Sequence, residues 1–558
     1  MIYVGIIIGI TILIIIKVKV DKQNFETRLN MHLENTWGQV PTQEYSYEKL
    51  DSIPKYYETK KDTSLDVDDI TWNDLDMDRI FMLLNHTESS IGEEYLYSML
   101  RKLQYSKAPL EERNRLITFF QEHSNERKII QKKLRLMGKL KDISFYEYIN
   151  RVDALEPHKP YIHFFCMFLF PASIGAAFIP GIGTYAFGLI IGSLVFNIIM
   201  YYKRKGKIDL FFNVFSYILR MLAFMEELSK TDIKELDSYM KDLSSEVSKF
   251  KKFRRGSFLV ISKNAAGSME DMILDYLRML LHFDLIKFDF MVKELSNKKE
   301  NLNHLFEIIG ILDSTIAVAS FRQLMNLDYC LPEFSKASAI LDVEDVYHPL
   351  IINPVKNTMN AETCILLTGS NASGKSTFLK TIAINAIFAQ TIYTSLSKHY
   401  KSCFFKVYSS MALRDDIISQ ESYYIVEIKS LKRIYDESGR EIPILCFIDE
   451  VLRGTNTAER IAASSQILKS LSTRNALVFA ATHDVELTYI LETYYLNYHF
   501  QEKIEDNNVL FDYILRDGRA TSRNAIKLLG MMGYSKEIID HATDEVNHFL
   551  DTNSWNSL

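Results

Sequence analysis

Cysteine is scarce in this 558-residue chain. Its five cysteines (Cys166, Cys330, Cys364, Cys403, Cys446) are scattered, with no CxxC pair and no histidine at metal spacing. That excludes a disulfide scaffold or a zinc site and fits a reducing compartment. An excess of positive charge is missing too: 65 Lys+Arg against 71 Asp+Glu leave a net charge of -6. The chain as a whole lacks the signature of a dedicated nucleic-acid binder, and only a local basic face stays open. Low complexity is also absent, since 47% hydrophobic and 24% charged residues exclude a wholly disordered protein. The length exceeds one compact domain and allows three or four.

What the chain has is an uneven spread of apolar residues. Met1–Ile16 carries no charge and is dominated by Ile; Val18 and Val20 extend it past Lys17 and Lys19, whose stems can snorkel. In a secretory signal the charges precede the apolar run and a small-residue cleavage site follows. Here the charges follow and no such site is seen, so residues 1–20 read as a retained transmembrane anchor. The competing reading is a hydrophobic first strand or core helix. Tyr161–Tyr202 has no Asp, Glu, Lys or Arg and is long enough for two spans of roughly 20 residues. Pro180-Gly181-Ile182-Gly183 breaks it as a tight turn, and Tyr161, Phe164, Phe165, Tyr201 and Tyr202 sit at its borders. A transmembrane hairpin over 161–202 is expected, against a buried hairpin in a soluble core. Lys17, Lys19 and Lys22 follow the anchor, and Lys203, Arg204, Lys205 and Lys207 follow the hairpin. The positive-inside tendency puts 21–160 and 203–558 in the cytoplasm of a multi-pass protein of the cell membrane, with three spans.

The middle of the chain reads as helix. Leu75, Ile80, Leu83, Leu84, Tyr95, Leu96, Met99, Leu100 and Leu103 fall near helical spacing, and Pro109 opens a further helix carrying Leu116, Ile117 and Phe120 inward. Lys207–Leu327 is mostly helical and contains no Pro. Lys249, Lys251, Lys252, Arg254 and Arg255 form the best local basic patch, read first as a solvated or membrane-facing surface and second as a phosphate-backbone contact.

Chemistry concentrates in Cys364–His483. An apolar strand, Cys364–Thr368, leads into Gly369-Ser370-Asn371-Ala372-Ser373-Gly374-Lys375-Ser376-Thr377, and a helical pattern follows. This is GxxxxGK[ST] in its strand–loop–helix context. Backbone amides of the loop wrap phosphates at a helix N-terminus, Lys375 neutralises the β/γ oxygens, and Ser376 ligates Mg²⁺. A second apolar strand, Ile444–Ile448, ends in Asp449-Glu450, suited to hold Mg²⁺ and to orient or polarise the attacking water respectively. A third, Leu477–Thr482, delivers His483 to the same edge, where it could sense the γ-phosphate. Lys375, Glu450 and His483 are the catalytic candidates, and the expected chemistry is nucleoside triphosphate hydrolysis.

These residues resemble the MutS mismatch-repair ATPases, which carry an ABC-type nucleotide site. Thr368–Thr377 is similar to that family's TGPNxxGKST, Asp415–Glu427 to its DDLxxGxSTFMVE, Asp449–Thr457 to DEIGRGTST, and Thr482–Leu487 to THYxEL. Tyr347-His348-Pro349-Leu350 resembles the RHPxx motif ahead of the ATPase. Asn524–Leu529 with Tyr534–Ile539 resembles the closing helices. The resemblance covers about Asp342–Ala542, and more weakly Trp72–Phe120 and Ile308–Pro332, which look like lever helices. There Ser89–Leu96 stands for T-x-x-G-x-R-x-L, with Glu94 in place of the Arg.

The resemblance implies an α/β fold: an ABC-type P-loop ATPase domain preceded by an all-α lever domain that here carries transmembrane helices. The expected division is 1–20 anchor, 21–160 lever segment, 161–202 hairpin, 203–340 second lever segment, 341–545 ATPase and 546–558 tail. It implies ATP and Mg²⁺, a homodimer with composite sites in which Ser422 reaches the partner's nucleotide, and DNA as ligand. Phe120-Gln121-Glu122 matches an F-x-E string but lies inside a lever helix and reads as coincidence. Leu452 replaces a family Gly and Tyr423 a family Thr, and no mismatch-reading domain is recognised ahead of the lever. A membrane-bound regulatory or scaffold ATPase, and less so a transporter ATPase subunit, stay open as alternatives. An SMC-type ATPase does not, because one short stretch holds both phosphate loop and Asp-Glu.

Overall fold

The computed structural model describes residues 2–155, 160–181, 183–256, 260, 269–335, 339–370, 373–411, 423–453, 455–505, 508–520, 526, 529–530, 532–552 and 554–556. The chain divides into two compact units that share it in alternation. One comprises Met1–Lys61, Leu84–Ser98 and Arg115–Leu324; the other comprises Asp62–Leu83, Met99–Asn114 and Met325–Leu558. The principal helices ahead of the sheets are α1 (Ile2–Thr36), α2 (Asp69–Asp74), α3 (Met77–Leu84), α4 (Ser90–Arg101), α5 (Lys107–Glu122), α6 (Ser124–Met137) and α7 (Phe145–Arg151). Then follow α8 (Pro160–Ala176), α9 (Gly183–Leu228), α10 (Asp237–Ser248), α11 (Met269–Leu281), α12 (Phe283–Ser296) and α13 (Lys299–Leu324).

The first unit is helical among its described residues. Its core is stitched where α4 meets α13. Asp313, fully buried, accepts from the Glu88 and Ser89 amides at 3.0 and 2.9 Å and from the Ser89 hydroxyl at 2.5 Å. Gly92 lies so close that an added Cβ would stand 2.1 Å from the Asp313 carboxylate, which is why this turn of α4 has no side chain. Glu94, the residue that stands for a family Arg, is buried and turned to α7. It accepts from the Ser144 hydroxyl and from the Phe145 and Tyr146 amides, at 2.9, 2.7 and 3.3 Å. It thus satisfies amides at a helix N-terminus that have no partner within the helix. Phe120 is fully buried, in keeping with a packing role for the F-x-E string.

The uncharged stretch 161–202 forms α8 and the first part of α9, and these two helices pack against each other and against α11 and α12. Their polarity is inverted. Ser173 and Ser193 hydroxyls meet at 2.9 Å, Asn197 donates to the Cys166 and Leu280 carbonyls at 2.9 and 2.7 Å, and His163 meets His282 at 2.9 Å. Phe168, Phe178 and Phe187 point outward and are 65%, 84% and 76% exposed. α8 ends at Ala176, ahead of the Pro180-Gly181 turn. α9 does not stop at Tyr202: lacking a proline, it continues through Lys203–Lys207 into the polar part of the unit. Likewise α1 extends past residue 20 to Thr36. Two described helices are long and apolar enough to cross a membrane. The α9 segment Tyr185–Leu228 is only 22% buried over its most apolar window, whereas α13 is 83% buried and is a core helix.

In the second unit, after β1 (Glu333–Phe334), β2 (Leu341–Val346) and β3 (Asn357–Ala361) come β4 (Cys364–Thr368), α14 (Lys375–Thr391), β5 (His399–Ser402) and β6 (Lys406–Ser410). Then follow α15 (Tyr423–Glu437), β7 (Ile444–Asp449), α16 (Thr457–Ser472), β8 (Ala476–Ala481), β9 (Tyr495–His499), β10 (Glu502–Glu505), β11 (Asn508–Phe511), β12 (Arg516–Asp517) and α17 (Lys536–Thr552). Among the described residues, the main sheet has the order β12-β9-β4-β8-β7-β6, parallel throughout except for β12. Strands β4 and β8 are buried along their whole length, as parallel strands covered on both faces must be. A smaller sheet has the order β1-β5-β2-β3. The edge strand β6 is covered by α2: the Ser409 amide donates to the Thr71 hydroxyl at 3.1 Å. Asp74 accepts from the Ser409 hydroxyl and the Met411 amide at 2.7 and 3.0 Å. Asp62–Leu83, read from sequence within the lever segment, is therefore built into the same unit as the main sheet.

Candidate nucleotide site

Three adjacent strands of the main sheet end at one edge. β4 pairs with β8 and β8 with β7, so Leu367, Ala481 and Asp449 stand side by side, and the loops that follow converge. After β4, Gly369 and Gly374 take φ of 141° and 105°, values at which a side chain is strained. A Cβ on Gly369 would also sit 2.7 Å from the Phe500 carbonyl oxygen. Lys375 opens α14; its side chain is largely buried and its ammonium donates to the Gly369 and Ser370 carbonyls at 2.8 and 2.9 Å. Burial lowers the Lys375 pKa, while Asp449, Glu450 and Glu502 pull it back up. Ser376 donates to Asp449, whose carboxyl is raised by burial and lowered by that bond. Ser373 Oγ is buried with no partner among the described residues, an unused polar atom facing the loop. Asn371, Ala372 and Ser422 lie outside the described residues, as does 412–421.

Glu450 follows Asp449 at a φ of 62° and its amide donates to the Ala481 carbonyl at 2.9 Å. One carboxylate oxygen meets His483 Nε2 at 2.8 Å and the other is bound by Arg453. The His483 hydrogen bond, then Arg453, hold the Glu450 carboxyl down at about 2. Arg460 on α16 grips Asp484 through two nitrogens at 2.9 and 2.6 Å, fixing the turn that presents His483. The structure thus brings Lys375, Ser376, Asp449, Glu450 and His483 together at one sheet edge.

Sequence reasoning gave no role to two neighbours. Glu427 on α15 is buried and accepts from the Leu452 amide at 2.5 Å and the Arg453 amide at 3.4 Å. It supports the Asp-Glu turn from below, including Leu452, which stands where the family has Gly and takes a φ of 58°. Glu427 closes the quoted DDLxxGxSTFMVE-like segment, so its motif position was the available signal. Glu502 on β10 is buried and accepts from the Ser370 hydroxyl at 2.9 Å; no motif marks it. Beside Gly374 and Thr377 opens a cavity of about 390 Å³, walled by Ile352, Pro354, Phe378, His348 and Tyr513. His348 is pushed down to about 4 by burial and accepts the Leu350 amide at 3.2 Å, so its ring is neutral at pH 7. An apolar cavity beside a phosphate loop suits a planar base.

Residues 365–550 match the family described as MutS domain V. The chain is 29% identical over 270 residues to the DNA mismatch repair protein MutS of Pseudothermotoga lettingae, covering 46% of this chain and 32% of that one. It is 28% identical over 268 residues to the DNA mismatch repair protein MSH3 of Vanderwaltozyma polyspora, covering 45% and 26%. To MutS of Thermus aquaticus it is 26% identical over 257 residues, covering 45% and 31%. Over this stretch the chain is similar to MutS-family proteins. The chain spans about a quarter to a third of the length of these relatives, and residues 365–550 contain the converging strand ends. A helical N-terminal part followed by mixed α/β sheets agrees with this similarity.

Proposed function

We propose that the chain is a membrane-tethered, ATP-hydrolysing, DNA-binding member of the MutS family, working as a dimer with composite ATP sites. The observation that carries the hydrolytic reading is the meeting of Lys375, Ser376, Asp449, Glu450 and His483 at the ends of β4, β7 and β8. The residues fit a nucleotide and its metal. Amides of Gly369–Thr377 and the Lys375 ammonium hold the phosphates, the cavity beside Gly374 takes the base, and Ser376 with Asp449 holds Mg²⁺. The metal supplies charge neutralisation at the phosphates. Glu450 orients a water molecule, and His483 both restrains Glu450 and faces the γ-phosphate position. Ser422, from the partner subunit's copy of this chain, completes each site.

Membrane attachment is supported by the inverted hairpin, whose polar side chains pair inward while phenylalanines face out. In water such a surface would be a large exposed apolar patch. Lys203–Lys207, following the uncharged run, supports a cytoplasmic side for the chain after it. The family relatives' names supply DNA as the ligand. The test is the ATPase rate of detergent-solubilised protein with homoduplex, mismatched and branched DNA across a salt series. Stimulation that falls with salt supports DNA processing. A rate indifferent to every DNA leaves the hydrolase and removes the DNA role, and a membrane-bound regulatory ATPase then becomes the reading.

A further inference from the structure

Where α9 leaves the uncharged run, a cavity of about 410 Å³ opens between α9 and the segment running from α7 to Leu155. Its apolar wall is Leu155, Leu210 and Phe211, and Tyr148 stacks edge-on against Phe211 with ring centres 5.2 Å apart. Its cations are Arg151 and Lys207, and its acid is Asp209. Arg151 also pairs with Glu147 at 2.6 Å, leaving most of its guanidinium exposed. Gly206 lies on the lining, and a Cβ there would meet nothing within 4 Å, so the mouth is open. Lys203, Arg204 and Lys205 precede it on the same helix, making four cations in five positions.

Position decides what this cavity suits. Lys207 is five residues beyond Tyr202, the last residue of the uncharged run, so it rises about 7.5 Å above it along the helix. The headgroup layer on each side of a bilayer is about 5–8 Å thick. Leu155 lines the same cavity as Lys207, so the wall ahead of the hairpin and the wall after it stand at one level. The cavity therefore combines cations and an apolar wall at headgroup depth, with the exposed ring of Tyr202 below it on α9. By contrast, Arg254 of the other basic cluster pairs with Glu226 on α9, 24 residues beyond Tyr202, so that cluster stands about 36 Å further along the helix and out of a bilayer's reach.

We infer that this cavity is a binding site for the phosphate headgroup of an anionic glycerophospholipid, held by Lys207 and Arg151 with the first acyl carbons against Leu210 and Phe211. The inference rests on the membrane reading above. The experiment uses the full chain, expressed in membranes and extracted in a neutral detergent. Phosphatidylglycerol and phosphatidylcholine are supplied in equal amounts, and the lipid retained is counted by native mass spectrometry. Phosphatidylglycerol is expected to be preferred, and Lys207→Gln and Arg151→Gln each to cut that preference by about fivefold. Lys207→Arg should restore it, which a misfolded variant would not. Equal retention of the two lipids, or displacement of phosphatidylglycerol by millimolar inorganic phosphate or by duplex DNA, overturns the inference. Alkaline carbonate extraction separates this from the reading beneath it. Release of the chain from membranes removes the membrane reading itself, whereas a chain that stays embedded without lipid preference removes the headgroup site alone.

Discussion

Glu450 is restrained from both sides, by His483 at 2.8 Å and by Arg453. A carboxylate stabilised in this way, at about 2, is ionised at neutral pH, the state in which it can orient or polarise water. The same restraint has a stability consequence. A carboxyl depressed below its unfolded value near 4.5 adds stability that is present above that value and is lost as pH falls through about 2. His483→Ala should therefore destabilise the protein at pH 6, with the difference from the parent shrinking at pH 3. Urea midpoints at the two pH values check this. Leu452 sets two effects against each other. Its left-handed backbone costs about 1–2 kcal/mol, but its side chain is buried in the sheet core, where losing a leucine costs about 2–5 kcal/mol. Burial wins, so Leu452→Gly should lower stability by about 1–3 kcal/mol in denaturant titrations. Glu94→Leu strands the buried Phe145 and Tyr146 amides and should cost about 3 kcal/mol by the same measurement. Legibility at this scale was uneven. That Lys375, Asp449 and His483 meet at one sheet edge was readable because each follows an apolar strand run. The role of Glu94 was not, since its partners lie 50 residues on and no local pattern announces them.

The hairpin shows the same division among elements. Its existence was legible, because a stretch of that length without Asp, Glu, Lys or Arg is too costly to leave in water unless something apolar covers it. The true ends of its helices were not: Lys203–Lys207 ends the uncharged run, but lysine and arginine favour helix, so α9 runs through them to Leu228. Which face carries the serines was likewise settled by packing. Leu189, outward and half exposed, should block membrane integration when changed to Arg, at a cost of about 3 kcal/mol. Ser193→Ala, on the inner face, should leave integration intact and weaken only the α8–α9 pair. Carbonate-resistant fractions of the two variants make the comparison. The strands β4, β7 and β8 were readable almost to the residue, as buried parallel strands are continuous apolar runs. The cover that α2 gives β6 was hidden, since it joins residues more than 330 apart.

Over the whole molecule, the chain passes five times between its two units, and the passages at 83/84, 98/99 and 114/115 fall inside or at the end of α3, α4 and α5. Continuous helices are stiff, so a rearrangement at the candidate nucleotide site has a covalent helical path out of its unit. That path suits the proposal that ATP binding closes the dimer and hydrolysis releases it. The account depends first on hydrolysis at this site. Steady-state ATP turnover of the detergent-solubilised chain with Mg²⁺, compared with its Glu450→Gln variant, tests that most directly. The account predicts that the variant still binds ATP while turnover falls by about 10²-fold or more. Unchanged turnover in Glu450→Gln would contradict it.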